Sequence, residues 1–192
     1  MKAFLAAVVL CGGMACSHVK HTYVSAGYNP ASSQAVKKIA VATWAWPEQS
    51  GYAGVLAAVV RDVVKLRSNY LLYSAAPAVH VFTEACSSSV QGVLWVRAQE
   101  VLPGPQHTQV KLFLELYACD TGALLWRTQA SREVSVHQPH LKNMVQQYVD
   151  ECGPQASQVA AAFFVLIQEA VRVLPNPVLS DEDMMEKIES DL

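Results

Sequence analysis

The chain has 192 residues, of which 52% are hydrophobic and 16% charged, and its net charge is −2. This composition excludes a disordered polyelectrolyte and suits one domain with a well-filled core. The near-neutral balance also argues against a nucleic-acid partner, which requires a basic patch.

The first sixteen residues read MKAFLAAVVLCGGMAC. Lys2 precedes an apolar run at residues 3–10, and residues 12–15 are small or unbranched up to Cys16. That run is far too short to span a bilayer, so the layout predicts an export signal over residues 1–15, removed before a lipidated Cys16. Gly13 departs from the usual leucine three residues before the cysteine. Cys11 is a competing site, but bulky Leu10 precedes it. An ordinary secretory signal and a buried N-terminal helix are the alternatives. A triacylated cysteine anchors stably, unlike a single acyl chain. Ser17, not aspartate, follows the cysteine, and bacterial sorting rules then favour the outer membrane over retention at the inner one. Loss of the signal removes Lys2 alone among charged residues, which leaves a net charge of −3.

Residues 17–35 are polar, show no sustained period and read as a tether, long enough to hold a domain up to roughly 60 Å from the membrane. Residues 36–44 (VKKIAVATW) form the first predicted strand, apolar on both faces and therefore central. Over residues 52–66, Val55, Val59, Val63 and Leu66 recur at helical spacing, widened by Leu56 and Val60 into a core-facing arc. A short strand follows at 79–83 after Pro77, then one or two helical turns over 84–91, and a third strand at 92–98 (GVLWVRA). Pro103-Gly104-Pro105 marks a loop. Residues 110–117 (VKLFLELY) alternate cleanly and, across the turn Cys119-Asp120-Thr121-Gly122, meet residues 124–130 (LLWRTQA) in a β-hairpin.

The last third reads as helical. Leu141, Met144, Val145, Tyr148 and Val149 share a face until Gly153-Pro154. A longer helix covers 155–173 and stops at Leu174-Pro175-Asn176-Pro177. The single domain therefore spans 36–177. An acidic tail, 178–192, follows; its residues 181–192 hold six acids and one lysine. Ser180 and Asp183 resemble a capping box, which would start a short helix with Met184, Met185 and Ile188 exposed. Such a helix is a candidate docking element; a mobile solvated tail is the plainer expectation.

Three cysteines besides Cys16 survive maturation, namely Cys86, Cys119 and Cys152. An oxidising compartment allows one disulfide with one thiol left over, and no spacing here selects the pair. All three as buried apolar residues is the other reading. Asp120-Thr121-Gly122 matches the aspartic-protease triplet, but that chemistry needs a second carboxylate of equal standing, and no second copy exists. His137 and His140 are too loosely placed for a structural zinc site. No Gly-x-Ser-x-Gly elbow, assignable base for Ser87–Ser89, or glycine-rich phosphate loop outside the signal is found. Trp44, Trp46, Trp95 and Trp126 would line a ligand groove if they shared a sheet face, although strand aromatics more commonly fill cores. No catalytic residue, metal or cofactor is expected.

The runs KKIAVATW, GVLWVRA and LELYACDTGALLW, with the ending AAFFVLIQEAVRVLPNP, resemble an uncharacterised family of bacterial envelope lipoproteins. More distantly, the pattern is similar to the α/β domains of the curli-secretion lipoprotein and of lipoprotein activators of penicillin-binding proteins. The resemblance implies an α/β (α+β) fold, a mixed sheet of about five strands with a C-terminal hairpin, flanked by helices. It implies no catalytic residues and a role in contact or assembly. The expected function is that of an outer-membrane-anchored, periplasm-facing, non-enzymatic binding or assembly protein. Its partners would be the membrane, through the anchor, and envelope proteins. A small-ligand or lipid-binding module is the second reading, and a hydrolase the third.

Overall fold

The computed structural model describes residues 19–32, 34–45 and 51–191; the export signal, Cys16 and Trp46 lie outside the described residues. Strands β1 (Val19–Val24), β2 (Lys38–Ala45), β3 (Leu71–Ala76), β4 (Gly92–Pro103), β5 (His107–Ala118) and β6 (Leu124–Ser135) form one sheet in the order β1-β6-β5-β4-β2-β3. The fold is α/β: this six-stranded mixed sheet packs with four helices, α1 (Ala53–Arg67), α2 (Lys142–Cys152), α3 (Ala156–Val171) and α4 (Asp181–Asp191). β2, apolar on both faces, lies inside the sheet and runs parallel to both β3 and β4. All other pairs are antiparallel.

One face of the sheet carries the main core. Leu94, Val96, Leu112, Leu114, Leu116 and Trp126 meet Val55, Leu56, Val59 and Val63 of α1 and Val159, Phe163, Leu166 and Ile167 of α3, all fully or almost fully buried. Each such side chain contributes about 1.5–3 kcal/mol through burial, which makes this layer the main source of stability. A smaller cluster covers part of the opposite face, where Ala40, Ala42 and Val93 lie under Val79, Val90 and Phe82.

The predicted β5–β6 hairpin forms as read. Gly122 takes a left-handed φ of +69° and its N–H donates to the Ala118 carbonyl at 2.9 Å. The strands of this meander run longer than the apolar alternation suggests, because β4 and β5 continue to the tight Gly104 turn, which is closed by Gly104 N–H to His107 O at 2.9 Å.

Four expectations need correction. Residues 19–24 are not tether: they pair with β6 as an edge strand. The segment after them is packed down as well, with the Tyr28 and Tyr70 hydroxyls 3.0 Å apart. The strand beside β2 is Leu71–Ala76, not 79–83; Ala78 has a φ of +60°, which breaks any strand there, and Phe82–Ala85 forms a single 3-10 turn. Leu66, placed on the helical core stripe, is 73% exposed because α1 turns its Val63–Val64 edge inward at that level. The acidic tail is a helix docked on its own domain.

The strand directions define two poles. At one lie the β4–β5 loop, the β6–α2 connection and the start of α3, joined where the Thr108 hydroxyl donates to Gln158 O at 2.6 Å. At the other lie the β5–β6 turn, the start of β2 and α4.

Candidate functional site

Of the residues singled out in the sequence, Cys16 lies outside the described residues. Cys86 and Cys119 are joined in a disulfide, while Cys152 is a free, half-buried thiol. Burial pushes the Cys152 thiol up, and the neighbouring Glu151 charge adds to this, so it holds its proton and is a poor nucleophile. The disulfide staples the 77–91 loop to the end of β5. Beneath it Phe82 stacks on Tyr117 with ring centroids 4.1 Å apart, and the Trp95 indole donates to Val79 O at 3.3 Å. No group of three metal-ligating side chains occurs among the described residues.

The tryptophans do not share one groove. Trp126 is fully buried on the helix side, its indole N–H bonded to Val173 O at 3.1 Å. Trp95 and Trp44 point to the opposite face, as their register partners Ala42 and Arg97 require.

The half of that opposite face left uncovered carries a charged and aromatic strip. Glu115, in the second half of β5, is only 1% exposed, yet Arg97 from β4 and Arg127 from β6 each reach one of its oxygens at 2.7 Å. The Arg97 guanidinium also sits over Trp95 at 4.6 Å and Phe113 at 5.7 Å, a cation–π contact that fixes it in place. Cross-strand register produces this cluster: Trp95, Arg97, Phe113, Glu115 and Arg127 occupy successive same-face positions of three neighbouring strands. Alternation of β5 marked Glu115 as outward-facing, but nothing in the sequence placed two arginines beside it.

The second surface is α4. Ser180 and Asp183 close the predicted capping box in both directions, Ser180 N–H to Asp183 Oδ2 at 2.8 Å and Asp183 N–H to Ser180 Oγ at 3.2 Å. The polar side of the helix faces the domain. Lys37 pairs with Asp183 at 2.6 Å, Lys38 with Glu186 at 2.9 Å, the Tyr73 hydroxyl bonds Glu186, and the Lys187 ammonium donates to the Ser68 carbonyl. Hydrogen bonds from Lys37 and Ser180 hold the Asp183 carboxyl below the usual carboxylate range, and those from Tyr73 and Lys38 do the same for Glu186. Reciprocally, Glu186 and Tyr73 raise the Lys38 ammonium to about 12. Met184, Met185 and Ile188 are left outward, 48%, 60% and 59% exposed.

An open groove of about 670 Å³ lies at the first pole, between the Gly104–Pro105 turn, Pro139 and the Val145–Val149 side of α2. It contains no nucleophile paired with a base.

No family model matches the chain, and no curated protein matches its sequence. Among solved structures, a point variant of PelC from Paraburkholderia phytofirmans, a dodecamer, aligns with a TM-score of 0.53 at 12% identity, covering 80% of this chain and 95% of that one. PelC in a second crystal form, again a dodecamer, gives 0.49 at 14% identity over 83% and 98% of the two chains. Lipoprotein GNA1162 from Neisseria meningitidis gives 0.43 at 18% identity over 60% and 96%. At these identities the likeness is one of fold, and the chain resembles bacterial lipoproteins in that sense.

Proposed function

We propose that the chain is a lipoprotein anchored through Cys16 to the periplasmic side of the outer membrane, and that it works by contact with envelope proteins without catalysing a reaction. One observation carries the reading. α4 engages its own domain through its charges and turns Met184, Met185 and Ile188 to solvent, the reverse of what a helix folded only for its own domain would do. Methionine is adaptable and suits a surface that repacks against a partner. PelC, of the same fold, is a dodecamer, so a further copy of this chain is the first partner to test. The layout of residues 1–16 supports the anchor and the compartment.

A photo-cross-linking residue at position 185 tests the contact in intact membranes. Discrete adducts are expected there, absent from the same probe at exposed Leu66 and lost on Ile188→Asp. Identical products at 185 and 66 would remove α4 from the contact. Acyl labelling that survives Cys16→Ser would remove the anchor.

A further inference from the structure

The outward face of α4 has a definite chemistry. Asp183, Glu186 and Lys187 are engaged with the domain, which leaves Met184, Met185 and Ile188 as an outward apolar stripe. The exposed acids Asp181, Glu182 and Glu189 border it. Lys187 is the one basic residue of the helix, and its ammonium donates inward to the Ser68 carbonyl. Two α4 faces brought together would therefore set acid against acid with no cation of either helix between them, an unfavourable pairing.

The open strip of the sheet has the opposite character. Trp95 and Phe113 are half-buried at its centre, with the Arg97 guanidinium over both rings and the Lys111 ammonium 5.9 Å from that of Phe113. Arg127 stands opposite Glu115, and Lys20 opposite Gln129. These cations outnumber the acids of the same strands. Glu115 is buried between its two arginines, Glu100 stands across from Lys111, and Glu133 lies at the far end beside His107. The strip is about 10 Å wide from β4 to β6 and about 20 Å long from Lys111 to Tyr117, room for a helix of about 16 Å.

We infer that α4 of one copy seats on this strip of the next, with its methionines on Trp95 and Phe113 and its acids toward Arg97 and Arg127. The inference rests on the contact role proposed for α4 and names its partner and receiving face. Methionine packs well on aromatic rings, and methionine, aromatic and arginine side chains concentrate at interface cores. Glu115 and Trp95 already fix the Arg97 guanidinium, so little freedom is lost when an acid meets it. The helix cannot serve its own strip. It is held at β3, which lies three strand positions from β5, about 14 Å across the sheet. A face that meets a different face makes a head-to-tail contact, so each added copy presents a fresh α4 or a fresh strip.

The test uses full-length chains in membranes, an isotope-labelled population mixed with an unlabelled one, both carrying the photo-cross-linker at position 185. After reduction and trypsin digestion, mixed-isotope adducts should join α4 of one copy to the peptide of residues 112–127 of another. Phe113→Glu should lower that adduct at least tenfold. Gln129→Glu, at a half-exposed position opposite Phe113, should lower it several-fold, and it keeps the test open if Phe113→Glu fails to fold. A yield unchanged by Gln129→Glu and by a folded Phe113→Glu overturns the strip as the receiving face. Adducts that join two α4 helices, stay within one copy or capture another protein overturn the head-to-tail contact and leave the contact role of α4 standing. Products at 185 that match those at Leu66 sink both.

Discussion

Glu115 is the least expected side chain in the molecule. A carboxylate with 1% exposure on a sheet surface is tolerable only because Arg97 and Arg127 each donate to it. Both arginines keep partial access to water, which screens the attraction. Glu115→Ala is therefore expected to cost about 2–4 kcal/mol in urea denaturation, mostly from two arginines left unpaired. Glu115→Gln, which keeps the shape and part of the hydrogen bonding, should cost less. The disulfide acts through the unfolded chain instead. It links positions 33 residues apart, so Cys86→Ser should lower stability by about 2–4 kcal/mol and release the loop over Tyr117.

At the scale of the element, α4 is held by polar contacts that water can compete for, each worth about 0–1 kcal/mol. Its docking should therefore respond to pH before the core does. Asp183 and Glu186 have lowered carboxyl pKa values in the folded state, so their contribution is present above the ordinary carboxylate range and is lost as pH falls through the folded values. Lys38, raised from 10.5 to about 12, contributes fully below 10.5 and is lost as pH climbs through about 12. The methyl NMR signals of Met184 and Met185 should accordingly move to free-helix positions below about pH 4, while those of Leu114 stay fixed. Ser180→Ala, which removes the cap, should bring that release to higher pH.

The elements differ in how well residues announce them. β5 and β6 were legible because Leu112, Leu114 and Leu116 alternate and Gly122 supplies the turn. β1 was not. The ladder shifts between Lys20 and Tyr23, where His21 has a φ of +56°, so Val19 alone packs against the core, Thr22 reaches Thr128, Val24 stays 45% exposed, and the period of two is lost. β3 reads LLYSAA, with no β-branched residue, whereas the VHVF that follows looks like a strand and is not one. The candidate surfaces were legible in unequal measure. The capping box and exposed methionines of α4 were visible in the spacing, but the lysines that receive its acids lie about 150 residues earlier, and only folding brings them together.

For the whole molecule, replacing a tether by a strand changes what the N-terminal segment does. β1 completes the sheet edge beside β6, and the hydroxyls of Thr22 and Thr128 meet at 3.1 Å. A chain beginning at residue 25 should lose about 2–4 kcal/mol from lost pairing and burial. Its bare β6 edge should also self-associate, seen as concentration-dependent light scattering. If residues 17–24 were a spacer, the truncation would leave the urea midpoint unchanged.

The pairing of Thr22 with Thr128 also sets an order of events. The two lie 106 residues apart, so the first strand must wait for the sixth before it can dock. During that interval residues 19–24 are a strand with no partner. Once β6 arrives, the same residues close the domain's edge. Sealing thus comes last: the edge of the sheet is completed by the earliest of the described residues, which are the last to find their place.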